Sequence, residues 1–249
     1  MITFQIAKRE LLFYFRTPAA YVFTICYLLI SSISFFYLGN FFERNQADLK
    51  PFFTFQPWIL MVFVPAIGMP LWSREIKSRH IEILHSLPVS MERFVIAKYL
   101  GAFSFILFNI SLTFPLAVTV NYLGSPDNGI IFTSYLGTVL LGASYLAITC
   151  WASSLSGDQV VSFTIAVILC SVFNLIGWGV VVDLFRGIFT DGIALGISEL
   201  SFSTKFNRFQ EGIVELRDLV YLLIAAVAFL WMAVFSIQAR RGARQLDET

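Results

Sequence analysis

The residues with the most potential for chemistry lie between Ser73 and Arg93, a stretch with seven charged side chains and both histidines of the chain. Imidazole nitrogens bind metal ions, but two histidine ligands on one face of a helix are three or four residues apart. His80 and His85 are five apart, so we do not expect a metal site at this pair. Two interpretations remain for the stretch: a solvated loop, or a surface that another protein binds.

The rest of the sequence contains no recognisable catalytic motif. It has no phosphate-binding loop of the G-x-x-x-x-G-K-[ST] type, no H-E-x-x-H, no C-x-x-C and no G-x-S-x-G. Cys26, Cys150 and Cys170 all lie in apolar runs, and we expect them to be buried free thiols. We therefore predict that the chain is not an enzyme, has no catalytic or metal site and binds no cofactor itself.

Helices in a membrane must position these residues. Hydrophobic residues make up 57% of the 249-residue chain and charged residues only 13%, outside the usual range of soluble proteins. Six uncharged runs of 21 to 30 residues can each cross a bilayer as a helix. We predict an all-α membrane protein with one membrane domain over residues 1–249. Its six spans are expected at about 18–39, 56–72, 94–123, 131–155, 160–182 and 219–238.

The distribution of lysine and arginine predicts the orientation, because cytoplasmic loops are enriched in both. With six spans the two termini share a side, and placing them in the cytoplasm puts eleven Lys and Arg residues inside and six outside. We therefore predict cytoplasmic termini, an extracytoplasmic loop over residues 183–218, and location in the cell inner (plasma) membrane. No basic tract indicates nucleic-acid binding.

Residues 1–16 have the pattern of an amphipathic helix at the membrane surface. Its apolar residues share one helical face: Phe4, Ala7, Leu11, Tyr14 and Phe15. The charged residues Lys8, Arg9 and Glu10 are expected on the other side, and Pro18 predicts a break before the first span.

The middle of each span contains no charged residue, so we do not expect an intramembrane charge relay. Asn109 and Asn174 are the most polar side chains there. Each is interpreted either as a link between helices or as part of a substrate site. Prolines in spans 2 and 3 predict bends, which could be hinges or static kinks.

The stretch from Ser73 to Arg93 has helical periodicity of its own. Apolar positions recur on one face at Ile76, His80, Ile83, Leu84 and Leu87. Pro88 ends this pattern, Ser90 is placed to cap the next helix, and Lys98 is expected to extend back to the membrane interface. A solvated loop needs no apolar face. The pattern therefore favours an amphipathic surface helix over residues 73–92 that docks against another protein or against its own bundle.

This stretch also resembles a known family. Arg74-Glu75, the Ile-Glu-Ile-Leu run at 81–84, the Leu-Pro-Val-Ser run at 87–90 and the Val-Ile-Ala-Lys run at 95–98 are similar to permease subunits of ABC-2-type transporters. The chain has His80-Ile81 where that family often has Gly-Thr, and Ala97 replaces a common glycine. The turn at 152–159 and the segments 51–70 and 206–221 look most like the gliding-motility-associated branch of these permeases.

The resemblance implies a six-span ABC-2 exporter fold and a set of partners. Two permeases, identical or related, pair in the bilayer above a dimer of cytosolic ATPase subunits that bind the ATP. The helix over residues 73–92 is then a coupling helix in a groove of the ATPase. Its ATPase-coupling residues are Arg74, Glu75, Ile76, Lys77, Arg79, Glu82, Ile83 and Leu84. A short helix around Phe206–Val214 in the external loop would line or gate the outer exit, with Phe206, Phe209 and Val214 as gate residues.

Two functions therefore stay open. The first is ATP-driven export of an unknown cargo by a permease whose ATPase is a separate subunit. The second is transmission of force or of a signal to extracytoplasmic or auxiliary membrane partners, without movement of cargo.

Overall fold

The chain begins with two helices separated at a single residue. In the computed structural model, which describes residues 2–44, 46–78, 90–188 and 191–247, helix α1 (Ile2–Arg16) ends before Thr17, whose backbone is extended, and α2 (Pro18–Ile33) follows. Proline is favoured at the first position of a helix, where its missing N–H is not needed. The predicted break before the first span is confirmed.

The other elements are also helices. A π-helical turn (Ser34–Leu38) continues α2. The rest are α3 (Phe41–Arg44), α4 (Lys50–Gly68), α5 (Pro70–Lys77), α6 (Met91–Ser111), α7 (Phe114–Leu123), α8 (Asn128–Leu155), α9 (Gln159–Leu175), α10 (Gly179–Ile188), α11 (Asp191–Ser198), α12 (Phe202–Gln210) and α13 (Leu216–Asp247). The all-α class is confirmed for the described residues.

Five helical stretches in the described ranges are long and apolar enough to cross a membrane: Pro18–Arg44, Lys50–Lys77, Met91–Leu123, Asn128–Leu155 and Leu216–Arg240. They make this a multi-pass membrane protein. Helix α9 is apolar but has only 17 residues, because it ends at Leu175 and not at the predicted end near residue 182. Just beyond this end the chain packs closely against α12, since a Cβ at Gly177 would lie 2.3 Å from Thr204 Oγ1.

Prolines interrupt two of the spans where the sequence predicts bends. Helix α4 ends at Gly68 before Pro70 starts α5. Helix α6 ends at Ser111 and α7 begins just before Pro115. In lipid, backbone groups released by such breaks need partners from neighbouring helices. Tyr135 of α8 contacts the second break, since its hydroxyl donates to the Thr113 carbonyl oxygen at 3.2 Å.

Helix α8 lies at the centre of the bundle and contacts α4, α5, α6, α9, α12 and α13. Many of its buried residues are small: Gly137, Gly142, Ala143, Ser144, Ala147, Ala152 and Ser153. Small residues let membrane helices approach closely, where packing rather than the hydrophobic effect holds them together. Cys150 of α8 is buried and accepts a hydrogen bond from Trp72 Nε1 of α5 at 3.3 Å.

The helices join at two ends of the bundle. At the end that contains α1, the Tyr14 hydroxyl donates to the Ile67 carbonyl oxygen at 3.1 Å. At the opposite end, which contains α12, the Ser201 hydroxyl donates to the Asn174 carbonyl oxygen at 3.1 Å. We name these the α1 end and the α12 end.

The cysteines only partly match the expectation. Cys150 and Cys170 are buried free thiols, but Cys26 is exposed, and the prediction of a buried thiol is wrong for it. Cys26 lies on the outer face of α2 with Val22, Ile25 and Leu29, which are all more than half exposed. In a membrane this face meets lipid, where a small apolar thiol is tolerated.

Candidate functional site

A buried group of charges joins three helices at the α1 end. Lys98 of α6 is fully buried. Its ammonium group lies 2.7 Å from Glu75 Oε1 of α5 and 3.7 Å from Glu10 Oε2 of α1. It also donates a hydrogen bond of 2.7 Å to the Leu71 carbonyl oxygen. We call Glu10, Arg74, Glu75 and Lys98 the α1-end cluster.

Arg74 is the most accessible member of the α1-end cluster. Its side chain is 35% exposed and lies 4.0 Å from Glu10 Oε1. Its guanidinium carbon sits 3.8 Å from the centre of the Phe13 ring, which is cation–π geometry. Arg74 therefore connects the buried acidic residues to the surface of the α1 end.

The predicted ATPase-coupling residues fall into three groups. Arg74 is half-buried, Ile76 is partly buried against the core, and Lys77 is exposed. Glu75 was expected to make a polar contact with a partner, but its carboxylate faces the interior and pairs with Lys98. Arg79, Glu82, Ile83 and Leu84 lie outside the described residues, so their role stays a prediction.

Two further expectations about the α1 end are wrong. Lys98 does not extend to the membrane interface, because Glu75 and Glu10 pair with its ammonium group inside the bundle. Glu10 is not on the polar side of α1, since only 4% of it is exposed. Its spacing contained a signal that could have placed it. Ala7, Glu10 and Tyr14 are three and four residues apart and so share a helical face.

Helix α1 packs closely against α6 in a way that positions Glu10. A Cβ at Gly101 would lie 2.7 Å from Glu10 Cβ and 2.8 Å from the Ala7 carbonyl oxygen. Tyr14 stacks on Phe105 with ring centres 5.1 Å apart. The predicted amphipathic helix is therefore present, but its inner face is covered by the bundle.

At the α12 end, the predicted gate residues do not form one group. Phe206 and Phe209 are fully buried on α12, whereas Val214 lies after that helix and is 45% exposed. A Cβ at Gly137 of α8 would lie 2.8 Å from Phe209 Cβ, so the two helices are in close contact. The phenylalanines hold α12 against α8.

Polar contacts bind α12 to the spans around it. The Gln210 side chain accepts a hydrogen bond from the Thr54 hydroxyl of α4 at 3.3 Å. The Phe209 carbonyl oxygen accepts one from Thr133 Oγ1 of α8 at 2.9 Å. With the bond from Ser201 to Asn174 of α9, α12 contacts three neighbouring helices at once.

A second group of charges joins α12 to the start of α13. Lys205 is buried and pairs with Glu199 and with the buried Asp218, whose Oδ1 is 3.2 Å away. Arg208 contacts Asp218 at 3.1 Å and Glu199 at 2.9 Å. Glu215 and Arg217 extend the group at the surface. We call these six residues the α12-end cluster.

The α12-end cluster changes the acidity of one member. The hydrogen bond from Lys205 holds the pKa of the Glu199 carboxyl below its usual value, and the charges of Lys205, Arg208 and Arg217 add to this effect. Glu199 therefore stays ionised in moderately acidic solution. Sequence reasoning missed Lys205 and Asp218, since external charged residues usually remain in water.

The two asparagines that the sequence placed in the middle of spans have different roles, and Asn174 lies instead near the end of α9, which stops at Leu175. Asn109 donates to the Phe105 carbonyl oxygen of its own helix at 2.7 Å. Asn174 of α9 reaches Met61 Sδ of α4 at 4.0 Å. Both are buried. Only Asn174 has the helix-to-helix contact that the sequence led us to consider.

Among the described residues, no group of three or more His, Cys, Asp and Glu side chains is arranged to hold a metal ion. His80 and His85 lie outside the described residues. No protein-family model matches the chain, and no curated protein matches it.

Proposed function

We propose that this chain is the permease subunit of an ABC-2-type exporter whose ATP is hydrolysed by a separate cytosolic subunit. The observation that carries the proposal is the stretch from Arg74 to Lys98. It combines the ABC-2-like sequence pattern with charges that join its two ends to each other and to Glu10 of α1. The cargo remains unspecified, and the second permease is either identical or related.

In this proposal α9 is the sixth span. Its 17 residues extend about 25 Å as an α-helix, somewhat less than the roughly 30 Å of a hydrocarbon core. Two contacts support a crossing. Gln159 at the start of α9 lines a cavity with Arg74 of the α1 end, and Asn174 accepts the hydrogen bond from Ser201 at the α12 end. Six spans would put both termini on one side of the membrane, and the distribution of lysine and arginine favours the cytoplasmic side of the inner membrane.

The α1-end cluster gives the coupling helix a mechanical connection. A push on residues 79–89 reaches α5 directly through the backbone. The ion pair between Glu75 and Lys98, at 2.7 Å, then transmits this movement from α5 to α6. The contact between Lys98 and Glu10, at 3.7 Å, transmits it to α1. Buried ion pairs are costly to break by separating the partners. The three helix ends therefore move as one unit when the ATPase closes.

A photocrosslinking amino acid at the exposed Lys77 tests the ATPase contact. In native membranes we expect an adduct with a soluble protein that contains a phosphate-binding loop. The matched control is Tyr122, which is 90% exposed but precedes α8 at the α12 end. Absence of the adduct at Lys77, or an equal adduct at Tyr122, contradicts the proposal.

Glu82, outside the described residues, provides a test of coupling. Glu82→Lys should lower the ATPase activity of the assembled complex without changing the thermal unfolding of the permease, because the proposal assigns Glu82 to the contact with the ATPase. Arg93→Glu, a charge reversal at an exposed position on α6, serves as the control. Full coupled activity in the Glu82→Lys complex would show that the coupling residues are wrongly assigned.

Transmission of force to an external partner is the second candidate. It is favoured by the position of α12, which is bonded to α4, α8 and α9 and, through the α12-end cluster, to α13. Movement of any of these helices would therefore move α12 and the α12-end cluster. Strong ATPase coupling with a stable external partner, but without ATP-dependent cargo movement in vesicles, favours this candidate over export.

A further inference from the structure

A cavity of about 210 Å³ opens at the α1 end between the end of α1 and the starts of α2, α5 and α9. Most of its walls are apolar or small, including Phe13, Ala19, Ala20 and Phe23. Sites that enclose a whole small molecule usually measure about 300–1,000 Å³. This cavity is smaller, so it suits one part of a longer molecule.

Arg74 lies at the cavity, and no described residue accepts a hydrogen bond from its guanidinium group. A guanidinium group has five N–H donors. Within the described residues those of Arg74 make no hydrogen bond, and its contacts are the Phe13 ring at 3.8 Å and the Glu10 carboxylate at 4.0 Å. Glu10 also lies 3.7 Å from Lys98, so its negative charge is divided between two cations. Arg74 is therefore able to bind a further anion.

A larger apolar groove of about 720 Å³ between α8 and α13 offers a useful contrast. It also contains an arginine, Arg240. The guanidinium of Arg240 donates to the carbonyl oxygens of Ser154 and Leu155 at the end of α8. Its donors satisfy backbone groups that a helix end leaves without partners. Of these two sites, only the Arg74 cavity combines an apolar volume with a cation that donates no hydrogen bond to another described residue.

The cavity lies at the depth where the chain enters the membrane. Its lining includes Thr17, just before α2, and Gln159, the first residue of α9. Exposed basic residues surround this end of the bundle: Lys8, Arg9, Arg16, Lys77 and Arg93. Cations close to a bilayer surface attract anionic lipids. An apolar volume with an arginine at this depth matches a phospholipid, with the acyl chain inside and the phosphate at the rim.

We infer that this cavity binds a phospholipid with an anionic headgroup. The part of an acyl chain nearest the headgroup lies in the cavity, and the guanidinium of Arg74 binds the phosphate of the lipid. Arginine suits phosphate because its planar fork donates two parallel hydrogen bonds. The bound lipid also covers apolar wall area that would otherwise meet water. This inference rests on the membrane location of the chain and not on the exporter proposal, so each can fail without the other.

Native mass spectrometry of the purified chain tests the inference. The chain is mixed with one defined lipid in detergent, and the spectrum shows how much lipid stays bound when the detergent is removed. The probes are phosphatidylglycerol and phosphatidylcholine with identical acyl chains. Both lipids have the phosphate, but only phosphatidylcholine also has a choline cation, which the basic residues at this end repel, so we expect wild type to retain phosphatidylglycerol preferentially. Arg74→Gln should lower that preference by about tenfold, the usual scale for one hydrogen-bonded charge. Arg74→Lys keeps the charge without the fork and should fall between the two.

Two further variants separate this cavity from general attraction. Arg93→Gln removes an equal exposed charge at the same end and should leave the preference unchanged. Ala19→Phe fills the cavity from an exposed position and should reduce retention of both lipids. Thermal unfolding of each variant shows whether it keeps the fold.

Three results would overturn the inference. One is equal retention of the two lipids by wild type. Another is a loss in Arg93→Gln as large as that in Arg74→Gln. The third is displacement of phosphatidylglycerol by soluble glycerol phosphate, which would show a site for free phosphate rather than for a lipid.

Discussion

The two charged clusters lie at opposite ends of the bundle and are built differently. At the α1 end, Glu10, Glu75 and Lys98 come from distant parts of the chain, and at most 9% of each side chain is exposed. At the α12 end, all six residues lie between 199 and 218, and Arg217 is 68% exposed. The first cluster joins helices that are remote in sequence, whereas the second folds one local segment onto itself.

This difference determines how replaceable each charge is. The α1-end cluster has one buried cation for two buried carboxylates, with Arg74 only at 4.0 Å. At the α12 end, Asp218 has both Lys205 and Arg208 as partners, and Glu199 has three cations. Loss of one residue therefore leaves an unpaired buried charge at the α1 end but a partly paired one at the α12 end.

The largest effect is expected from Lys98→Met, which leaves Glu10 and Glu75 buried without their main partner. Removing one member of a buried ion pair costs about 3–5 kcal/mol of unfolding free energy. Unfolding of the purified protein by denaturant in mild detergent measures it. Arg93→Met is the control, since Arg93 is exposed on the same helix. A loss for Lys98→Met no larger than that of the control would show that the cluster does not hold α1 in place.

A smaller effect is expected from Lys205→Met at the α12 end. Arg208 still pairs with both Glu199 and Asp218, so the cost should be about 1.5–3 kcal/mol, the range for hydrogen bonds to charged groups. The same unfolding experiment measures it, with the exposed Arg217→Met as control. If Lys205→Met costs more than Lys98→Met, the contrast between the two clusters is wrong.

Two glycine substitutions compare the helix contacts beside each cluster. Gly101→Ala places a Cβ 2.8 Å from the Ala7 carbonyl oxygen, and Gly137→Ala places one 2.8 Å from Phe209 Cβ. Overpacking typically lowers the free energy of unfolding by about 1–3 kcal/mol. The higher helix propensity of alanine offsets up to about 1 kcal/mol of this loss. We expect net losses of about 1–2 kcal/mol, larger for Gly101→Ala because backbone must move. Stabilisation by either change would contradict the close contacts.

The smallest expected effect is the pH dependence of the stabilisation that Glu199 gives to the α12-end cluster. The pKa of Glu199 in the folded protein lies below its ordinary value of 4.5. Its ion pairs therefore stabilise the fold fully above pH 4.5, and this contribution disappears as pH falls through the lower, folded value. The difference in thermal unfolding temperature between wild type and Glu199→Gln should shrink below pH 4.5. A difference that stays constant down to pH 3 would indicate that Glu199 contributes by packing alone.

The sequence predicts the helices well because their signals are local. Long apolar runs and prolines define the spans and the break at Pro18, and these need no knowledge of neighbours. The end of α9 was missed because the uncharged run continues to Val182, whereas the helix stops at Leu175. Glu75 and Lys98 look like surface residues in sequence. Only the packing of α1, α5 and α6 brings their charges to 2.7 Å.

The central claim, a permease driven by a separate ATPase, is tested most directly by purifying the tagged chain from its native membrane in mild detergent. Mass spectrometry then identifies the co-purifying proteins and their stoichiometry. The account predicts an ATPase with a phosphate-binding loop, equal in number to the permease chains, with any second permease visible as another membrane subunit. Recovery of the chain without an ATPase, even after crosslinking in the membrane, would contradict the account.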